Sequence, residues 1–413
     1  MKERITNIPL LRKSNILNIL NIIWKKRITT RKELSEETSI TAPTISNIVN
    51  LLLEKGFIRV KYKGNSTGGR QPDLLEFNPS SFYIIGISFK TYKVQGMITN
   101  SFGEKISGFI IDADYRGKGA NILMQLEIVL NELLDNFSMK DKIIGVGVSV
   151  PGTVDNKNGV ILSSPIIGHG EGVNISRFIN EKYGYQVFVE NDANLCALNE
   201  FWFGKAKNAK YLLFVLAGYG IGNGLIVNGE IYTGSKDAAG ELGHSVIEID
   251  GKKCYCGSSG CLETVASYPA LFKEFQKRIK LGENTALNSL SEKEFSVHAV
   301  ELIFEYAEKG DDLAIAELKQ IGRYIGIGIS NLLNILNPDI VIIGGDYYRV
   351  KDIIKSSLIE TARLRARIPV KNTKIEFTEF GLDAPVHGAI TLVIKKFLES
   401  DFDYLLEKSL LGS

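Results

Sequence analysis

Three of the chain's four cysteines fall within eight residues, CYCGSSGC at 254–261. Cys254, Cys256 and Cys261 form a C-x-C-x4-C pattern, and His244, one of only four histidines, precedes it by ten residues. Three thiolates and one imidazole make a closed tetrahedral donor set with no position left for a catalytic water, as structural zinc (Zn2+) requires. Gly257 and Gly260 permit the tight turns that aim neighbouring sulfurs at one point. A redox pair is the competing reading, disfavoured by the nearby histidine and by a reducing compartment, where clustered cysteines bind metal more often than they pair. Cys196 lies in a helical pattern and is expected to be a packed thiol.

The compartment follows from the N-terminal pattern. NILNILNIIW (15–24) has the length of a signal-peptide core, but Asn recurs at 15, 18 and 21, and Lys25-Lys26-Arg27 follow with no small-residue cleavage site. No apolar run reaches the roughly 18 residues that cross a bilayer, so a cytoplasmic protein with no membrane partner is expected. Overall charge is +2, yet residues 1–79 carry 14 Lys/Arg against 7 Asp/Glu while residues 80–413 carry 35 against 40. A basic head on an acidic body points to a polyanion-binding module, although basic ends also occur without such a partner.

Helix signals recur three times in that head. Ser14–Lys26 shows an apolar stripe of Ile16, Leu17, Ile19, Leu20 and Ile23. Thr30 with Glu33 is a capping-box pattern opening a short helix to about Glu37. Thr41 is placed to cap a third helix, tolerant of Pro43 in its first turn and ending at Gly56. There Ile45, Ile48, Val49 and Leu52 should face inward, leaving Thr41, Thr44, Ser46, Asn47 and Asn50 outward as a small polar face able to approach base edges in a major groove. Phe57–Lys63 and Leu74–Phe77 flank a glycine-rich turn, completing a winged helix-turn-helix in which Lys61, Lys63 and Arg70 supply phosphate or minor-groove contacts.

From Tyr83 the pattern becomes α/β, with strands at 83–89, 93–99, 104–112 and 143–150 and a helix near 120–136. YIIGISFKTYKVQG (83–96) is echoed by YLLFVLAGYGIGNG (211–224), and Asn228-Gly229 marks a tight hairpin. Two α/β lobes facing a cleft follow. The expected division is residues 1–79 for the DNA-binding module, 80–197 for the first lobe and 198–385 for the second, with a C-terminal helix near 386–413 returning to the first.

ELGH (241–244) followed by CYCGSSGCLE (254–263), together with VENDAN (189–194), resembles the signature of the ROK family of repressors, open reading frames and kinases. The resemblance covers nearly the whole chain. It implies a winged helix-turn-helix ahead of two actin-like, ribonuclease H-like lobes, and a sugar cleft lined by Asn191, Asp192, Glu241, His244 and Glu263. Carboxylates, amides and an imidazole are suited to the paired hydroxyls of a sugar. Were the chain a kinase, Asp192 would be the general base.

The same resemblance separates kinase from repressor. Family kinases carry an acid and then Gly-Gly-Thr in the first strand turn, where bare backbone amides approach nucleotide phosphates. Here that stretch is Ser88-Phe89-Lys90-Thr91, and the second loop places Tyr219 between Gly218 and Gly220. NPDIVIIGGD (337–346), the adenosine-side motif, survives, though a strand with a Gly-Gly turn accounts for it equally. A non-enzymatic, sugar-responsive repressor of carbohydrate genes, xylose metabolism among them, is therefore expected. It should bind a palindromic operator as a homodimer or tetramer and leave it when sugar binds between the lobes. An ATP-dependent sugar kinase, and a repressor answering to a sugar phosphate or a protein partner, are the alternatives. One departure bears on the sugar: family sugar binders usually carry Asn in a Pro-Asn-Leu segment and Trp four residues after it, and the aligned SPIIGHGEGVNI (164–175) has Ile166 and Gly170 there, with His169 between.

Overall fold

The computed structural model describes residues 10–63, 73–115, 119–164, 167 and 172–399. Helix α1 (Leu10–Lys26) buries Ile16, Ile19, Leu20 and Ile23, the expected stripe. After strand β1 (Ile28–Thr29), helix α2 (Arg31–Thr38) opens on the predicted capping box: the Thr30 hydroxyl accepts from the Glu33 amide, and the Glu33 carboxylate accepts from the Thr30 amide, both at 3.2 Å. Helix α3 (Ala42–Glu54) buries Ile45, Ile48, Val49 and Leu52 as expected. Its N-cap differs from expectation, because the Thr41 hydroxyl meets the Thr44 hydroxyl at 3.0 Å and caps no backbone amide. Gly56, at φ +73°, lets the chain turn into β2 (Ile58–Lys63), which pairs antiparallel with β3 (Asp73–Phe77). β1 completes a sheet of order β1-β3-β2.

The next five strands are β4 (Tyr83–Phe89), β5 (Lys93–Asn100), β6 (Lys105–Asp112), β7 (Ile143–Val150) and, beyond the short β8 (Thr153–Asp155) and β9 (Val160–Ser163), β10 (Val187–Asn191). They form a sheet of order β10-β7-β4-β5-β6, in which β4 runs antiparallel to β5 and parallel to β7. Helices α4 (Gly119–Asp135) and α5 (Ile175–Tyr183) accompany it, and α6 (Asp192–Trp202) leads out of β10. Every residue of β4 and β7 is buried, the mark of central strands covered on both faces.

The second sheet repeats the plan. Strands β11 (Tyr211–Ala217), β12 (Ile221–Val227), β13 (Glu230–Ile231), β14 (Ile340–Gly344) and β15 (Lys374–Phe377) take the order β13-β12-β11-β14-β15. Here β11 is antiparallel to β12 and parallel to β14, so the echo between 83–96 and 211–224 is a repeat of one strand pair. Asn228 and Gly229, at φ +53° and +87°, make the tight hairpin. Helices α7 (Glu263–Ala266), α8 (Tyr268–Lys280), α9 (Val297–Glu308), α10 (Asp312–Leu336) and α11 (Lys351–Arg365) build this lobe. The last described helix, α12 (Ala384–Glu399), packs on β4 and β7.

One apolar core joins the N-terminal module to the first sheet. Ile16, Ile19, Leu52 and Phe77 belong to the same buried cluster as Phe82, Ile84, Ile390, Ile394 and Phe397. Trp24 at the end of α1 donates to the Ser101 carbonyl at 3.0 Å, and the Arg27 guanidinium lies 3.5 Å from the Phe102 ring centroid. No described helix is long and apolar enough to cross a membrane.

Candidate functional site

Between the lobes lies a cavity of about 270 Å³, and Asn191, Asp192, Glu241, His244 and Glu263 all line it. Asn191 ends β10, and its Oδ1 caps α6 by accepting from the Ala193 and Asn194 amides at 2.9 and 3.1 Å. Its Nδ2 donates to the Gly152 carbonyl at 2.9 Å, leaving one hydrogen for a ligand. Asp192 opens α6; desolvation by burial pushes its carboxyl up to about 7 against the pull of the Ala193 amide, which it accepts at 2.9 Å. Near neutrality such a carboxyl can accept a hydrogen bond from a sugar hydroxyl or donate one to it.

Behind these two sits a group the sequence argument passed over. Glu190, buried, accepts from the Asn191 amide at 2.8 Å and from the Asn194 amide group at 3.1 Å, and holds Asn156 at 3.2 Å. Its place inside VENDAN was the available signal.

The opposite wall comes from the second lobe. Glu263, the first residue of α7, accepts from the Ile221 amide at 3.0 Å and has the Tyr255 hydroxyl as a second hydrogen-bonding partner. Glu241 is exposed, its Oε2 3.9 Å from His244 Nε2. Tyr255, also missed, places its hydroxyl 3.1 Å from the same Nε2 and lines the cavity; its position between Cys254 and Cys256 was the clue.

His244 turns its other nitrogen the opposite way. Nδ1 stands 3.6 Å from Cys254 Sγ, Cys256 and Cys261 sulfurs are 3.7 Å apart, and all four donor atoms lie within 4.8 Å of one another. Tetrahedral bonds of about 2.3 Å to sulfur and 2.0–2.1 Å to nitrogen give ligand–ligand edges of about 3.8 and 3.6 Å, so the set is compatible with a structural zinc ion. A disulfide needs sulfurs about 2.05 Å apart, and all four cysteines are free. Cys196 is fully buried in α6, apart from this cluster.

Part of the remaining lining comes from the β4–β5 turn, through Phe89, Lys90 and Thr91. Lys90 donates to Gln95 Oε1 at 2.8 Å and, across the cleft, to the Leu382 carbonyl at 2.7 Å. Gln95 in turn donates to Asp383 at 2.8 Å, and the Tyr92 hydroxyl reaches Asp346 at 3.4 Å. Burial lowers the Lys90 ammonium's pKa, opposed by Asp383 and Asp346. Ser88 is buried, and Tyr219 packs its ring 5.9 Å from that of Phe295. Lys90 and its partners thus occupy the β4–β5 turn with bonded side chains.

On α3, Thr41, Asn47 and Asn50 are exposed, and Thr44 and Ser46 are half-buried. Asn50 accepts from Arg31 at 3.2 Å, which takes one of its groups away from a ligand. Lys61 is exposed beside Glu76 at 3.3 Å, shared with Arg59 at the same distance. Arg70, the Lys63 side chain, Ile166, His169 and Gly170 lie outside the described residues.

A winged helix-turn-helix DNA-binding model matches residues 12–59, and a ROK family model matches residues 120–396. The xylose repressor of Bacillus subtilis (strain 168) is 30% identical over 394 residues, covering 94% of this chain and 97% of that one. The crystal structure of a ROK family transcriptional regulator, a homolog of the E. coli MLC protein, superposes with a TM-score of 0.81 at 26% identity, covering 97% of this chain and all of the other. A ROK family glucokinase from Streptomyces griseus, in complex with glucose and AMPPNP, aligns with a TM-score of 0.65 at 25% identity over 75% of this chain and 98% of its own.

Proposed function

This chain belongs to the ROK family, and from that premise we infer that it is a sugar-responsive, DNA-binding transcriptional repressor acting in carbohydrate metabolism, with xylose the first effector to test. Operator DNA and a small sugar are its partners. The observation that carries the choice of repressor over kinase is Lys90, whose ammonium bridges Gln95 and Leu382 in the strand turn that a nucleotide would need bare. Phosphoryl transfer is almost wholly positioning and charge neutralisation, and a bonded side chain in the phosphate turn removes the first of these. We therefore assign Asp192 to sugar binding and no residue to catalysis.

Asn191, Asp192, Glu241, His244 and Glu263 hold the sugar in this scheme. His244, Cys254, Cys256 and Cys261 hold zinc, which when bound supplies fixed geometry and no reactive position. With Nδ1 committed to the ion, the His244 ring presents Nε2 to the cleft beside Tyr255 and Glu241. Thr41, Thr44, Ser46 and Asn47 read bases, while Lys61, Lys63 and Arg70 serve phosphates. A homodimer sets two α3 helices one helical turn apart on a palindromic site, about 34–36 Å. Sugar closes the cleft and moves them off that spacing; a 100-fold preference for the closed state corresponds to about 2.7 kcal/mol.

The test is operator binding by fluorescence anisotropy with and without D-xylose, D-glucose and their phosphates, beside a turnover assay with ATP and magnesium. Release by a free sugar with no turnover is expected. Turnover of about 1 s⁻¹, the low end for kinases, overturns the assignment.

A further inference from the structure

Helix α6 begins in the sugar cleft and ends against the DNA-binding module. Its N-cap is Asn191 and its first residue Asp192, both lining the cavity. Eleven residues later it ends at Trp202, about 16 Å along the axis. There the Trp202 ring lies 5.7 Å from that of Trp24, and Phe203 lies 5.9 Å from Trp24. Trp24 sits two residues before the end of α1, just ahead of the wing strand β1, so a displacement of its ring acts on both.

The surroundings of α6 suit a moving part. Residues 193–200 are all buried, so the helix cannot dissipate a push into solvent. Both lobes touch it through glycine: a Cβ on Gly224 of β12 would fall 2.3 Å from the Ala193 carbonyl oxygen, and one on Gly388 of α12 would fall 2.3 Å from that of Leu195. Smooth backbone-to-backbone contacts of this kind permit shear of a packed helix without side chains having to change rotamer. Trp202 Nε1 is buried and makes no hydrogen bond to any described residue, whereas Trp24 Nε1 is bonded to Ser101. An unmet buried donor is costly, and a small shift of α6 that found it a partner would be favoured.

We propose that α6 is the element that carries sugar occupancy to the DNA-binding module, with Trp202 as the positioning residue that transmits its movement to Trp24. The proposal rests on the sugar-released repressor reading above and adds the route. Sugar bound at Asn191 and Asp192 biases the position of α6, and the reader follows because its own core is continuous with the rings at the far end. Neither tryptophan touches sugar or DNA in this scheme.

Trp24 and Trp202 are the only two tryptophans in the chain, so tryptophan emission, excited selectively over tyrosine, reports on the surroundings of this pair. D-xylose added to the full-length protein should shift tryptophan emission in wild type and in the variants Trp24→Phe and Trp202→Phe. Trp202→Ala should keep sugar affinity and sugar-free operator affinity within about threefold of wild type, while the sugar-induced loss of operator affinity, about 5- to 150-fold for typical coupling, falls below about threefold. Trp202→Phe, which retains a ring, should restore it. Full sugar-induced release in a folded Trp202→Ala protein overturns the proposal.

A sugar-independent cycle separates this inference from the functional reading. Operator affinity is compared in Asn191→Ala, Trp202→Ala and the double variant, whose sites stand at opposite ends of α6. Independent sites this far apart multiply within about twofold. A departure of more than about threefold supports transmission through α6 even if no sugar releases the operator; a simple product overturns it.

Discussion

The two lobes share one strand order and differ in what their turns were given. In the first lobe the β4–β5 turn carries Lys90 and Tyr92, which cross the cleft to Leu382 and Asp346. In the second the β11–β12 turn keeps its glycines, and the segment from β13 to the first residue of α7 carries the His244, Cys254, Cys256 and Cys261 donor set along with Glu241 and Glu263. The first lobe meets the DNA reader through the Phe102 ring on Trp24 and a shared apolar core; the second presents the loop of His244 and Tyr255 to the cavity. A duplicated scaffold has diverged where its halves face each other, and the sheets beneath could stay alike because their central strands are buried on both sides.

The largest expected effect falls on the second lobe alone. Cys254→Ser, or chelation of the metal, should release the loop bearing His244 and Glu263, lower the melting temperature and weaken sugar binding at least about 100-fold, read by calorimetry, since structural zinc contributes folding energy outright. Intact sugar affinity in the metal-free protein would erase the contrast between the lobes.

In the first lobe Asp192 is the sharper probe. Its folded pKa is raised to about 7 from 3.8, so the folded state holds a proton that the unfolded state releases, and stability falls as pH rises from about 4 to 7. Asp192→Asn should remove that slope and stabilise the protein at pH 8 by about 2 kcal/mol, discounted for the open cleft, while abolishing sugar binding; at pH 4 the gain should vanish. Thermal melts across that range check both signs.

On the reader carried by the first lobe, Asn47→Ala should cost about 1–3 kcal/mol of discrimination at one base position, measured by competition among operator variants. Arg70→Ala should instead weaken all sequences alike and reduce the salt slope by about 1. The smallest effect is expected at Thr30→Ala, which deletes the capping box of α2 and should lower stability by about 1 kcal/mol in denaturant melts.

Much of this was legible from residue order. The capping box, the α3 stripe and the 83–96 and 211–224 echo rest on local spacing, and each corresponds to an element of the structure. Thr41 failed as a side-chain cap because a second hydroxyl, Thr44, lay within reach, a competition that propensity does not register. Glu190 and Tyr255 escaped notice because their importance comes from what they touch: an asparagine turn in one case, the cavity-facing nitrogen of His244 in the other.

Composition and periodicity were enough to determine a basic reader, an α/β body with a repeated strand pair, and a thiolate–imidazole donor set, since all three depend on residues near one another along the chain. Only the tertiary structure decided that Lys90 spans the cleft, that His244 points one nitrogen at sulfur and the other at the cavity, and that the chain's two tryptophans meet 178 residues apart. Those facts depend on long-range packing, where the contact energy is collected only after distant segments have paid the entropy of meeting, and no short window of sequence contains both partners.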